Sequence, residues 1–136
     1  MSFILSRRPW SVGGAAALVA ISATAIGVIW NLRYQSEAVA RAMAGGDPAR
    51  APVTIRRFGC GGCHTISGIP GGDGQVGGPL TGIKHRVYIG GAVPNSPDTL
   101  VRWIVSPQTF SPRSAMPATG ISEAEARDVA TYLYSR

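Results

Sequence analysis

The chain has 136 residues and a formal net charge of +6, which is enough sequence for one domain of ordinary size. Hydrophobic residues make up 45% of it and charged residues only 15%, against about 25% charged residues in soluble domains. The length leaves little room for a large enzyme, and the concentration of apolar residues in one segment excludes a purely cytosolic protein.

That apolar segment lies near the N-terminus. Residues 9–32 form a run of 24 residues without Asp, Glu, Lys or Arg. A helix of this length, at about 1.5 Å per residue, crosses the hydrocarbon core of a bilayer, which is about 30 Å thick. The sequence therefore predicts a short N-terminus and a single transmembrane helix within residues 1–32, in contact with membrane lipid.

The residues that flank the apolar segment predict its orientation. Arg7 and Arg8 precede it, and Trp10 and Trp30 stand near its two ends, where aromatic rings favour the headgroup level. By the positive-inside rule the N-terminus would be cytoplasmic. The rest of the chain would then lie in the periplasm, beside a bacterial inner membrane, where we expect no nucleic-acid partner.

Two export signals are alternative interpretations of the same segment. Residues 42–44 resemble the small-residue cleavage site of a secretory signal peptide, and Arg7 and Arg8 resemble a twin-arginine signal. The apolar run is longer than the about 7 to 15 residues usual in a signal peptide, and the candidate cleavage site lies well beyond its end. These two features favour a retained anchor.

The composition changes after the apolar segment. Most of the 18 glycines and nearly all of the 10 prolines follow residue 44, at a density that is close to the range of disordered chains. We therefore predict a linker over residues 33–46 and a second domain over residues 47–136. Something other than a conventional apolar core must order that domain.

Short helices separated by long loops are the expected elements of this domain. Asp47 followed by Pro48 is a start signal for a first helix, although Pro52 must bend this helix or delay its start. Ser96 predicts the start of a second helix, which Pro107 would end. Ser122 and Glu125 have the spacing of a capping box for a last helix. No segment predicts a strand, so the expected fold class is all-α.

The chemistry of the chain is concentrated in residues 60–64, which read Cys-Gly-Gly-Cys-His. Cys60 and Cys63 can each add across one vinyl group of a haem, and the imidazole of His64 then lies under the iron. This spacing marks c-type haem attachment and predicts one covalently bound haem c. The haem would also supply the missing core.

Three other sites share part of this pattern. A structural zinc site needs four ligands, and only Cys60, Cys63, His64 and the isolated His85 are available. A dithiol redox motif expects a βαβ context that this segment lacks. A plain disulfide would have to close an unusually tight loop. The haem interpretation is therefore favoured over all three.

From this motif onward the chain resembles the class I c-type cytochromes, over residues 47–136. In that family a first helix leads into the attachment motif, a Gly- and Pro-containing loop follows, a Met-Pro loop supplies the second iron ligand, and a C-terminal helix crosses the first. The corresponding parts here are residues 55–58, 60–64, 77–82, 115–117 and 123–134. The resemblance implies short helices and loops wrapped around one haem.

The second iron ligand has two candidates. Met116 lies in the loop that resembles the family's ligand loop, whereas Met1 starts the chain and Met43 precedes the haem motif. His85 is the rival, because a second imidazole would also complete the coordination of the iron. The family resemblance favours Met116.

The resemblance also assigns a role to the loop that follows the haem motif. In the family, a proline carbonyl accepts a hydrogen bond from the ligand histidine. Here that position is Gly78, and the proline is displaced to Pro79, before Leu80. Glycine has the same carbonyl, so Gly78 would still orient His64, and all three loop residues would border the haem.

Further residues around the haem are implied only by the resemblance. Arg86 and Trp103 would donate hydrogen bonds to a haem propionate, with Tyr88 in a similar role. Phe110 would cover the haem near the methionine loop. The ordinary alternative is a solvated arginine and aromatic residues packed in the core.

An iron with two side-chain ligands has no open position, so the sequence predicts an electron-transfer protein of a respiratory chain rather than an enzyme. Its expected partners are a quinol-oxidising complex and a terminal oxidase. A fixed cytochrome subunit of such a complex is the first alternative. If Met116 did not bind, the open iron would suit a gas-binding or peroxide-reducing haem protein. If the haem were only structural, the domain would be an interaction module of a larger complex.

Overall fold

The computed structural model describes residues 10–136. Arg7 and Arg8, and the side chain of Trp10, lie outside the described residues. In chain order the elements are α1 (Trp10–Ala44), α2 (Ala51–Arg57), α3 (Cys60–Cys63), a 3₁₀ turn (Ile83–His85), β1 (Tyr88–Ile89), β2 (Val93–Pro94), α4 (Pro97–Val105), a second 3₁₀ turn (Pro107–Thr109) and α5 (Glu123–Ser135). The predicted helical fold class is confirmed.

One short hairpin departs from the expectation that no strand forms. Strands β1 and β2 are antiparallel and pair Tyr88 with Pro94 and Ile89 with Val93. The turn between them contains Gly90, whose φ of 56° is the left-handed conformation that glycine adopts without strain. A strand of two residues is too short to show an alternating pattern in the sequence, which is why it was not predicted.

The chain divides into two compact units, of which the first ends at Tyr34 and the second comprises Gln35–Arg136. Among the described residues, one helix is long and apolar enough to cross a membrane, over Gly13–Ala44. Within its apolar part, the hydroxyls of Ser22 and Thr24 donate to backbone carbonyls one turn earlier. Such pairing needs no water.

The second unit begins with the last turns of α1. The segment 33–46, predicted as a linker, is helical as far as Ala44. Ala40 and Ala44 are buried, and the hydroxyl of Ser36 donates to the carbonyl of Ser135 at 2.9 Å. Small side chains let this helix approach α5 closely, so residues 35–44 are part of the packed domain.

A buried carboxylate on α5 fixes the connection between α1 and α2. Asp128 accepts hydrogen bonds from the backbone N–H of Asp47 at 2.6 Å and from two guanidinium nitrogens of Arg50, each at 2.8 Å. Helix α2 begins at Ala51 rather than directly after Asp47. Pro52 has no N–H to donate to the preceding turn, so the α-helical ladder starts late.

We expect Asp128→Asn to lower the free energy of unfolding by about 2 kcal/mol at neutral pH, because an amide cannot accept both charge-assisted bonds. The hydrogen bond from Arg50 lowers the pKa of Asp128 from its ordinary value of 3.8. Its stabilisation is therefore complete above that value and is lost as the pH falls through the lowered pKa. Urea unfolding of the full-length protein in detergent, followed by circular dichroism, measures both effects.

Glu123→Gln is the matched control, since Glu123 is mainly exposed in its ion pair with Arg127 and such pairs contribute about 0.5 kcal/mol. Equal stabilities of wild type and Asp128→Asn at neutral pH would contradict the assigned role of Asp128.

The two remaining main helices begin where the sequence predicted. The Ser96 hydroxyl accepts from the backbone N–H of Thr99 at 3.2 Å, at the start of α4. Ser122 and Glu125 form the predicted capping box of α5. Helix α5 packs against α2 and α4, and its buried apolar face forms one wall of the main cavity.

Candidate functional site

A cavity of about 310 Å³ lies within the second unit. Eight residues that were singled out from the sequence line it: Cys60, His64, Gly78, Leu80, Arg86, Tyr88, Trp103 and Met116. The rest of its wall is mainly aliphatic and includes Ile55, Ile66, Ile83, Leu100, Val129 and Leu133. The fold therefore brings most of the predicted site residues to one apolar space.

A second cavity, of about 130 Å³, adjoins the first. It shares Cys60, His64 and Met116 with the larger cavity and adds Cys63. Because the same three side chains border both spaces, a flat group held between His64 and Met116 would extend into both. Of the remaining predicted residues, Pro79 and Phe110 line neither cavity.

The His64 ring is held by the loop that follows the motif. Its Nδ1 lies 2.7 Å from the carbonyl oxygen of Gly78. A carbonyl can only accept, so Nδ1 carries the proton and Nε2 presents its lone pair. Such a hydrogen bond fixes the orientation of a ligand imidazole and raises its basicity. The displacement of the proline to Pro79 leaves this contact intact.

Gly77 lets the loop approach the ring, a role that the sequence did not predict. A Cβ at this position would lie 2.3 Å from Cε1 of His64, which is too close for any side chain. The N–H of Gly77 also donates to the carbonyl of Cys63 at 2.7 Å. Gly77 belongs to the segment 77–82 that carries the family resemblance, but the resemblance assigned the contact with the histidine to Gly78 alone.

The two cysteines lie at the ends of the single-turn helix α3, and both are free. Cys60 is half-buried and burial raises the pKa of its thiol, whereas Cys63 is exposed. The turn packs closely on the following loop, since a Cβ at Gly61 would lie 2.9 Å from the carbonyl oxygen of Gly71. Cys60 lines both cavities, and Cys63 lines the smaller one.

The zinc alternative lacks a complete set of ligands. In residues 10–136 no group of three or more His, Cys, Asp or Glu side chains is arranged to hold a metal ion. His85 lies on the first 3₁₀ turn, is exposed, and borders neither of the two cavities.

Two side chains hold the backbone of Met116, which borders both cavities. The Gln108 amide donates to the Met116 carbonyl at 2.7 Å, and the Ser114 hydroxyl accepts from the Met116 N–H at 3.2 Å. Neither Gln108 nor Ser114 was singled out, because a lone Gln or Ser in a loop carries no motif. They fix a loop that has no helical or sheet pairing of its own.

The predicted propionate residues all line the main cavity. Arg86 donates from its guanidinium to the carbonyl of Pro79. Trp103 is buried and packs against Gly90, where a Cβ would lie 2.5 Å from the indole ring. Tyr88 is more than half exposed. Phe110 lies behind this group, where its ring stacks on Trp103 with centroids 6.1 Å apart.

These features together fit a haem c. The apolar walls suit a large flat ring, and the imidazole of His64 and the thioether of Met116 face the same space. The thiols are free to form the covalent bonds, and Arg86 and Trp103 provide donors for carboxylates.

Comparison with family models gives a match to the family described as Cytochrome c, over residues 54–136. Comparison with curated proteins and comparison with solved structures each gave no match. The matched range contains every residue that lines the two cavities.

Proposed function

Because the chain belongs to the cytochrome c family, which implies covalently bound haem c and electron transfer, we propose that it is a membrane-tethered one-electron carrier of a respiratory chain. Cys60 and Cys63 would hold a single haem, with His64 and Met116 as its iron ligands. The observation that carries the proposal is the cavity pair that His64 and Met116 both border.

The bound haem supplies a reversible change between ferrous and ferric iron. The residues of this chain set the conditions for it. Gly78 orients His64, and the loop held by Gln108 presents the soft sulfur of Met116, a ligand type that raises the potential. If His64 and Met116 hold the iron, no coordination position would remain open for gas binding or peroxide reduction.

The N-terminal helix supports the tether. It is apolar and long enough to cross a membrane, and the arginine pair that precedes it favours a cytoplasmic N-terminus and a periplasmic haem domain. Tethering raises the effective concentration of the haem beside membrane partners. This arrangement suits transfer from a quinol-oxidising complex to a terminal oxidase.

A fixed subunit of a larger respiratory complex is the second candidate. The packing of residues 35–44 into the domain favours it, because this segment then provides no flexible chain for wide movement. Purification of the protein from membranes in mild detergent distinguishes the two candidates. A free carrier should separate from the oxidase, whereas a fixed subunit should remain with it in constant stoichiometry.

The respiratory role is tested with the full-length protein in vesicles together with a purified quinol-oxidising complex and a terminal oxidase. Quinol should reduce the haem, and oxygen should then reoxidise it within the turnover time of the oxidase. Failure of either step would contradict that role. Protease added to spheroplasts should digest the haem domain, and protection of the domain would contradict the periplasmic orientation.

We expect Arg86→Gln to lower the midpoint potential. The guanidinium borders the cavity, where its charge would oppose the additional positive charge of ferric iron. A redox titration measures the effect, and Arg113→Gln is the control because Arg113 is exposed and lines neither cavity.

A merely solvated arginine would be screened over about 8 Å at physiological ionic strength. An unchanged potential together with a weaker salt dependence of partner oxidation would assign Arg86 to a docking surface instead.

A further inference from the structure

Asn95 joins the end of strand β2 to the start of α4 and uses its whole side-chain amide. Its Nδ2 donates to the carbonyl of Ile83 at 2.7 Å and to the carbonyl of Arg86 at 2.9 Å. Its Oδ1 accepts from the hydroxyl of Tyr134 at 2.5 Å. Its backbone N–H donates to the carbonyl of Val87 at 2.9 Å.

The orientation of this amide is fixed by its partners. The carbonyls of Ile83 and Arg86 can only accept, so the nitrogen of Asn95 must face them, and the oxygen must then face Tyr134. Both amide hydrogens and the amide oxygen are paired. No isosteric side chain has this set of groups, since aspartate lacks the donors and leucine lacks all three.

Asn95 bonds to the backbone of the segment that contains Arg86. Residues 84–88 are exposed, and only Ile83 before them and Ile89 after them are buried. Few packing contacts therefore hold the backbone at Arg86, and its position depends on hydrogen bonds. Asn95 bonds to three carbonyls of this segment, those of Ile83, Arg86 and Val87.

Tyr134 connects this arrangement to the core. It lies near the end of α5 and is buried, and burial raises the pKa of its hydroxyl, so it remains a neutral donor. Helix α5 also carries Val129 and Leu133, which line the main cavity. A chain of direct contacts therefore runs from the cavity wall through Tyr134 and Asn95 to Arg86.

We infer that Asn95, anchored by Tyr134, is a positioning residue that holds Arg86 against the haem and thereby sets the redox potential. The inference rests on the proposed haem function and on the proposed role of Arg86. Neither Asn95 nor Tyr134 lines the cavity, so both act through the position of the arginine and not by contact with the haem.

The test compares midpoint potentials of the full-length, haem-loaded protein. Asn95→Leu removes all three side-chain hydrogen bonds without a change in charge, and Tyr134→Phe removes only one. We expect both to lower the potential, in the same direction as Arg86→Gln, with the larger shift for Asn95→Leu. Ferric haem with a sulfur ligand has a weak far-red absorption band, by resemblance to the family. This band should persist in both variants, which would show that iron ligation is unchanged.

A double-mutant cycle then separates positioning from general damage to the fold. In an Arg86→Gln background, Asn95→Leu and Tyr134→Phe should cause no further shift in potential. Tyr132→Phe is the matched control, because Tyr132 lies two residues away on α5 and donates to the carbonyl of Ser67 at 2.8 Å. It should lower stability but leave the potential unchanged.

Each contrary result has a distinct meaning. If Arg86→Gln lowers the potential but Asn95→Leu and Tyr134→Phe reduce stability alone, the positioning role is wrong and the proposed function stands. If their shifts persist undiminished without Arg86, they act through another group and the inference is wrong. If Arg86→Gln itself changes nothing, the inference fails with the role of Arg86. Absence of covalent haem in the wild type would overturn the proposed function itself.

Discussion

Substitution of both Cys60 and Cys63 with alanine is expected to abolish the haem stain of the protein on a denaturing gel. In the proposed site each thiol would form one thioether bond, whereas noncovalent haem is lost under denaturing conditions. The wild type, matured in a host that attaches haem c, should keep its stain. Each single substitution should leave one bond and a reduced yield of stained protein.

The same double substitution should also destabilise the domain. Without haem the cavity of about 310 Å³ would stay open in the core, and empty apolar cavities destabilise by about 24 cal/mol per Å³. By that scale the loss reaches several kcal/mol, comparable with the whole stability of a small domain. Circular dichroism and proteolysis of membrane preparations measure it.

His85→Ala is the control for this experiment, because His85 borders neither cavity. It should retain both the stain and the fold. A wild type that carries no stain after maturation in a competent host would contradict the covalent haem, and with it the proposed function. A double variant that keeps its stain would place the attachment elsewhere.

The parts of the fold that the sequence predicted are those with local causes. Ser96 and Ser122 cap the helices that begin directly after them, because a cap is decided within one turn of its helix. The apolar run predicted a long helix for the same reason. The spacing of Cys60, Cys63 and His64 is likewise local. Five consecutive residues were therefore enough to predict that these three side chains belong to one site.

The parts that were not predicted depend on residues far apart in the chain. The order of residues 35–44 involves Ser135, and the position of the segment before α2 involves Asp128. Each strand of the hairpin has only two residues. The sequence near Asn95 and Gln108 does not predict the carbonyls to which these amides donate, because only the tertiary fold brings the partners together.

Substitution of Met116 with alanine is expected to lower the midpoint potential by more than about 60 mV, which is a tenfold change in a one-electron equilibrium. Thioether sulfur is a soft ligand that favours ferrous iron, and its loss removes that preference. The weak far-red band of the ferric haem, which the family resemblance ties to sulfur ligation, should disappear. Redox titration and absorption spectra measure the two effects.

Two matched variants separate Met116 from its rivals. Met43→Ala removes an exposed methionine of α1, and His85→Ala removes the alternative ligand. Both should keep the band and the potential. The ferrous Met116→Ala protein should also bind carbon monoxide, because the iron would then have an open position.

The opposite pattern would change the function as well as the ligand. If His85→Ala abolished the band and Met116→Ala did not, the first 3₁₀ turn would have to rearrange, since its histidine borders neither cavity. If the wild type itself bound carbon monoxide as readily as Met116→Ala, the sulfur would not be bound. An open iron would then favour a gas-binding or peroxide-reducing protein over an electron carrier. We expect an iron without an open position because Gln108 and Ser114 hold the Met116 loop beside His64.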